Sequence, residues 1–191
     1  GRLQLRAASV QQGPAQLELT IMRKLSDDVP LRVESLIRIH VAGEPREQTL
    51  SDVLVPDSVP LAIDSELPAR LESNGQLRLS LRAGSYSLRI SARMRGPVRT
   101  LQNPQRPAPW PAQEAWVFQP DAQLRQVRVS GAPSVDPARL ELPQDMRGLP
   151  TFVLAAGAAL QLEELSRGEP EPAPNQLSLW RTFWLDQDGQ G

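Results

Sequence analysis

The sequence predicts an all-β protein, an antiparallel β-sandwich of immunoglobulin-like or jelly-roll-like type, and three observations carry that expectation. Apolar residues recur at every second position in several short stretches, as in Leu17, Leu19 and Ile21 or Leu77, Leu79 and Leu81, which is the period of a strand with one packed face. Nineteen prolines and twelve glycines interrupt the 191 residues at short intervals, which suits strands and turns better than helices. Aromatic residues make up only 4% of the chain, so the core is expected to be built from Leu, Val, Ile and Ala.

The elements follow in order. Leu17–Ile21 alternates. Leu31, Val33, Ile37, Ile39 and Val41 all fall on odd positions of one extended segment, interrupted only by Ser35. Val53 to Ile63 is apolar but broken by Pro56 and Pro60, which confines it to a loop or an edge strand. Pro68–Leu71 leads into Ser73-Asn74-Gly75, where Asn-Gly favours a tight reversal. Gly75 to Met94 reads as a β-hairpin reversing at Ala83-Gly84-Ser85. Asn103–Gln113 holds four prolines and reads as an extended connector. Beyond it, strands are expected at 115–118, 124–129, 139–142, 151–154, 158–165 and 176–186, with one helical turn at most in 145–149. Leu154, Ala158, Leu162 and Leu165 also fit a helix. Gly157 would cost that helix about 1 kcal/mol relative to alanine, so a hairpin turning at Gly157 is preferred. The expected organisation is a lobe over 1–102, the connector 103–113 and a second lobe over 114–191, with one sandwich spanning 1–191 as the alternative.

Charge is unevenly distributed. The net formal charge is −1, yet no acidic residue occurs between Glu72 and Glu114, a window holding Arg78, Arg82, Arg89, Arg93, Arg95, Arg99 and Arg106. Eleven acidic side chains in 114–191 offset it. Six of these arginines, Arg78 to Arg99, form a candidate surface for an anion or a partner, because guanidinium binds carboxylate and phosphate bidentately. The near-neutral total and the lack of interleaved aromatics argue against nucleic acid.

Cysteine is absent, which removes disulfides, thiolate metal sites and cysteine nucleophiles. His40 is the single histidine and no Gly-x-Ser-x-Gly elbow accompanies it, so neither a serine triad nor a histidine metal cluster is expected, and no cofactor is implied. Two acids at a suitable separation would suffice for a hydrolase, and Glu163, Glu164, Asp186 and Asp188 are the candidates. The tryptophans Trp110, Trp116, Trp180 and Trp184 are the ligand-binding candidates, since an exposed ring stacks on a sugar. Trp110, in a proline-locked segment, is expected to be the most exposed of them. No apolar run approaches the ~20 residues that span a bilayer. Gly1 and the stop after a strand-like stretch suggest a segment of a longer protein.

The string Leu79-Ser-Leu-Arg-Ala-Gly-Ser-Tyr-Ser-Leu-Arg-Ile90 resembles the strand–turn–strand signature of small extracytoplasmic β-sandwich modules of carboxypeptidase-regulatory-like and PEGA type. Trp116-Val-Phe and Leu177–Gly189 resemble an N-terminal region of large uncharacterised envelope proteins from Pseudomonas-like bacteria. These resemblances imply a periplasmic or envelope-associated module, whose partners are other domains of the same chain, an envelope protein or a glycan. They bring no catalytic residues. The reading favoured is a non-catalytic binding or scaffolding module, with a carbohydrate-binding module and a carboxylate-dependent hydrolase as alternatives.

Overall fold

The two longest alternating stretches become the centre of the molecule. In a computed structural model that describes residues 16–167, thirteen strands are numbered β1 to β13 along the chain. Strands β1 (Gln16–Ser26) and β2 (Arg32–Ala42) pair antiparallel over their whole length, from Gln16 opposite Ala42 to Ser26 opposite Arg32. On one side β2 takes β7 (Gly84–Met94), and β7 takes β4 (Ser58–Ser65). On the other side β1 takes β9 (Gln113–Gln119) in parallel, followed by β12 (Thr151–Ala155) and β11 (Ser134–Val135). The result is a seven-stranded sheet in the order β11-β12-β9-β1-β2-β7-β4. The fold is all-β, with open sheets.

Two three-stranded sheets complete it. One is β3 (Arg46–Leu50), β6 (Leu77–Leu81) and β5 (Ala69–Leu71); the other is β10 (Arg125–Ser130), β13 (Ala159–Arg167) and β8 (Thr100–Gln102). Both pack on the same face of the large sheet, which the parity of the long strands makes plain. Leu19 and Ile21 of β1, Ile37, Ile39 and Val41 of β2, and Leu88 and Ile90 of β7 form one apolar cluster with Leu77, Leu79 and Leu81 of β6. Further along the same strands, Leu25, Val33 and Met94 form a second cluster with Trp116, Phe118, Leu160 and Leu162. Between the clusters, the inward positions are Arg23 on β1 and Ser35 on β2, paired across the ladder, with Ala92 on β7. Each long strand therefore serves two cores and crosses a seam between them.

The opposite face of the large sheet is partly covered by residues 136–149, which carry two short 3₁₀ turns, Pro137–Arg139 and Gln144–Met146. Leu142 and Met146 are buried there against Met22, Leu36 and Val117. Charge reinforces the contact: Asp145 reaches Lys24 at 3.7 Å and Arg89 at 3.6 Å.

Several expectations change. Residues 75–94 do not form a hairpin, because β6 belongs to a small sheet and β7 to the large one. Both strands turn their leucines inward, but from opposite walls of the core, so the Ala83–Ser85 reversal is an arch between sheets. The turn at Gly157 is likewise an arch, from β12 to β13. No strand forms at 139–142; that segment lies against the outer face with Leu142 buried. The connector does not part the chain into lobes. Strands from both sides of 103–113 join one sheet through the β1–β9 pairing, and Asn103 and Trp110 within it are buried. The strand expected at 176–186 lies outside the described residues.

Glycine is required at one turn more than at another. Gly131 has φ +96°, and a Cβ there would stand 2.4 Å from the Ala159 carbonyl oxygen; Gly75 has φ +82° with open space around it. Gly131→Ala is expected to lower stability by more than 2 kcal/mol and Gly75→Ala by about 1 kcal/mol, the left-handed backbone penalty alone. Chemical denaturation of the two variants checks the order; equal losses would contradict it.

Candidate functional site

The most concentrated chemistry lies at the seam. Arg23 is fully buried. Its Nε donates to Glu114 Oε2 at 2.7 Å, and its Nη1 donates to Ser35 Oγ at 2.7 Å and to the Val53 carbonyl at 3.1 Å. Glu114, also buried, accepts from Trp116 Nε1 at 2.9 Å and from Arg106, whose Nη2 also donates to Asn103 Oδ1 at 2.6 Å. Arg106 Nη1 donates to the Asp52 carbonyl at 2.9 Å, and its guanidinium lies 4.0 Å from the centre of the Trp110 ring. Arg106 Nε is buried without a partner among the described residues.

Two guanidiniums thus share one carboxylate. Burial alone would raise the Glu114 carboxyl, but the charge and hydrogen bond of Arg23, with Arg106 and Trp116, outweigh it and hold the group below the usual carboxylate range. Burial is the main influence on Arg106 and lowers it, against the pull of Glu114 and with the push of Arg23. This arrangement binds five chain segments together: β1, β2, β9, the 51–55 loop and the connector. Every oxygen of Glu114 is engaged, so it is a structural anion with no free lone pair directed at a substrate.

A second buried acid repeats the pattern near the end of β1. Asp27 accepts from Arg125 Nε at 3.0 Å and Nη2 at 2.5 Å, tying the large sheet to β10. Those bonds are the main reason the Arg125 guanidinium is held more firmly protonated than usual. Arg125 also reaches Glu164, which accepts from Arg167 at 2.5 Å. The Arg167 bond is the chief cause of the lowered Glu164 carboxyl.

The predicted site residues are scattered. Trp116 is fully buried in the second cluster and Trp110 is 9% exposed in the first, so neither ring offers a stacking face. The expectation that prolines hold Trp110 outward fails because the segment turns: the Trp110 N–H closes on the Pro107 carbonyl at 3.2 Å and Arg106 covers the ring. Trp180, Trp184, Asp186 and Asp188 lie outside the described residues. Glu163 and Glu164 are exposed neighbours on one strand, directed to opposite faces and spent on Arg128 and on Arg125 with Arg167. They do not form a facing pair.

The six arginines do not share a face either. Arg78 is on the outer side of the small β3-β6-β5 sheet and Arg82 is exposed just after β6, while Arg89 and Arg93 point from the opposite side of the sandwich. Arg89 is paired with Glu34 and Asp145. Arg95 and Arg99 come together on a cleft of about 320 Å³ between the segment before β4 and strand β8. His40 lies in a shallow depression of about 420 Å³ on the outer face, with Glu18, Thr20, Arg38, Ser85 and Ser87 around it. His40 Nδ1 and the Ser85 hydroxyl share a 2.9 Å hydrogen bond. Glu18 faces His40 across the β1–β2 ladder without bonding the ring among the described residues, so no acid orients that imidazole as a base. Among the described residues no three His, Cys, Asp or Glu side chains gather as a metal-binding group, and no helix is long and apolar enough to cross a membrane.

The seam was partly visible in sequence. Ser35 interrupts the apolar run of β2, and Arg23 occupies an inward position between Ile21 and Leu25. A charged side chain in that phase signals a buried partner.

No family model matches the chain, and no curated protein matches it. Among solved structures, the M1 zinc metallopeptidase of Deinococcus radiodurans is similar over 78% of this chain and 43% of its own, at 13% identity and a TM-score of 0.41. A mutant two-domain M1 zinc metallopeptidase bound to L-tryptophan is similar at 12% identity and a TM-score of 0.38. The chain therefore spans less than half the length of these structures.

Glu114→Gln would leave two buried guanidiniums without their counter-charge and is expected to cost about 3–5 kcal/mol at neutral pH. Because the native carboxyl titrates below its unfolded value near 4.3, its contribution is present above that pH and is lost as pH falls through the folded value. The stability gap between the native chain and the variant, measured by denaturant unfolding, should narrow below about pH 4. A gap unchanged between pH 7 and pH 3 would contradict the assignment.

Proposed function

We propose that this chain is a non-catalytic extracytoplasmic binding or scaffolding module of a larger bacterial envelope protein. The observation that carries the reading is the use made of its buried charge. Asp27 and Glu114, the two buried acids among the described residues, are both consumed by arginines: Arg125 ties Asp27 to the β10 sheet, and Arg23 and Arg106 tie Glu114 to β1 and to the connector. A hydrolase of the carboxylate type needs an acid held protonated in an apolar setting beside a second acid. Glu114 is held the other way, below the usual carboxylate range beside Arg23 and Arg106, and Asp27 is paired with Arg125. Free polar groups lie on outer strand faces and short turns, where a rigid β scaffold presents them to a partner. The resemblance of Leu79–Ile90 to extracytoplasmic sandwich modules supports the compartment.

The test uses the longer gene product in its own cells. An epitope-tagged protein should be released by osmotic shock or recovered with the envelope. Deleting the segment that encodes this module should reduce its retention there while leaving any activity of the remaining domains intact. Recovery in the cytosol, or hydrolysis of glycans by the purified chain that Glu163→Gln or Glu164→Gln abolishes, would overturn the reading.

A further inference from the structure

Of the arginines in the acid-free window, two stand apart. Arg89 is paired on the outer face, Arg106 is buried in the seam, and Arg78, Arg82 and Arg93 are exposed at separate places outside the Arg95–Arg99 cleft. Arg95 and Arg99 line one cleft and take part in no ion pair or side-chain hydrogen bond among the described residues, although both are exposed.

The backbone that carries them is fixed at both ends. The Arg95 N–H donates to the Asp57 carbonyl at 3.0 Å, and the Arg99 carbonyl accepts from the Leu162 N–H at 2.8 Å. Between them run Gly96, Pro97 and Val98, with Val98 packed on the second apolar cluster. Pro97 removes a backbone degree of freedom from an already short turn. Both guanidiniums are therefore presented from a constrained loop, which reduces the entropy lost when they close on a ligand.

The rest of the cleft narrows the ligand class. Thr100 and Gln102 lie on β8, the free edge of its sheet, and supply hydroxyl and amide groups, while Pro97 and Val98 give apolar surface. Asp57 lines the same cleft. Its carboxylate would repel a phosphate dianion but accepts hydrogen bonds from neutral hydroxyls. Two guanidiniums for one carboxylate, acceptors for hydroxyls and an apolar wall for a ring together describe one ligand.

We propose that the cleft formed by Arg95, Arg99, Thr100, Gln102 and Asp57 binds an acidic sugar of a polysaccharide, its carboxylate held by the two guanidiniums and its hydroxyls by the other three side chains. The proposal rests on the binding-module reading and assigns it a ligand class.

Trigalacturonate is the probe, titrated into the purified 191-residue chain by calorimetry and by amide chemical shifts, with maltotriose and inorganic phosphate in parallel. Shifts should concentrate in residues 56–58 and 94–102. Arg95→Gln with Arg99→Gln should weaken binding about tenfold or more, the loss of a charge-assisted bidentate contact, with an unchanged unfolding midpoint. Arg78→Gln with Arg82→Gln, which removes the same charge elsewhere, should leave affinity within about twofold. No binding, equal weakening by both double variants, or phosphate binding as tightly with the same shifts would each overturn the proposal. The module reading fails separately, on compartment or on hydrolysis, and neither result depends on these titrations.

Discussion

A guanidinium cannot be left unpaired inside a protein, and Arg23 lies inside the strand at the centre of the large sheet, between its two cores. Everything near the seam is arranged to satisfy it: Glu114 from β9, the Ser35 hydroxyl from β2 and the Val53 carbonyl from the loop before β4. Glu114 then requires Arg106, and Arg106 brings in Asn103 and Trp110. A proline-rich stretch that would otherwise cross the surface is thereby pulled into the interior. Breaking a buried ion pair on one side costs about 3–5 kcal/mol, at least as much as deleting most single core leucines at about 2–5 kcal/mol.

This constraint explains how a sandwich of 4% aromatic content spans two cores. One long sheet lies beneath two short ones, and apolar packing alone would leave a groove where the short sheets meet. The network fills that groove with directional bonds, and directional bonds set register. Arg23 is satisfied only if β1 and β9 align with Met22 opposite Ala115. The Asp27–Arg125 pair performs the same task at the far end, between the large sheet and β10.

Much of this was legible in the sequence, but pairing was not. Alternation in Leu77–Leu81 and Leu88–Met94 correctly marks which side chains face inward. It cannot distinguish two strands sharing a sheet from two strands facing each other across a core, since both bury the same residues. That is why the 75–94 and 151–165 segments read as hairpins and fold as arches. The parallel β1–β9 pairing joins residues about ninety positions apart and has no local signal at all. At the candidate site, the arginine run was conspicuous as composition. Which guanidiniums remain free depends on acids brought close by the fold, such as Glu34 and Asp145 beside Arg89. Trp110 was misjudged because prolines restrict the backbone without deciding which way a turn directs its next side chain.

The central claim is that the seam makes the two cores one cooperative unit. Native-state hydrogen exchange on an Arg23→Met variant tests it most directly, read at amides of β6 in the first core and β13 in the second. The account predicts that protection falls by the same free energy in both strands. Loss confined to one of them would show that the cores open independently and that the network does not join them.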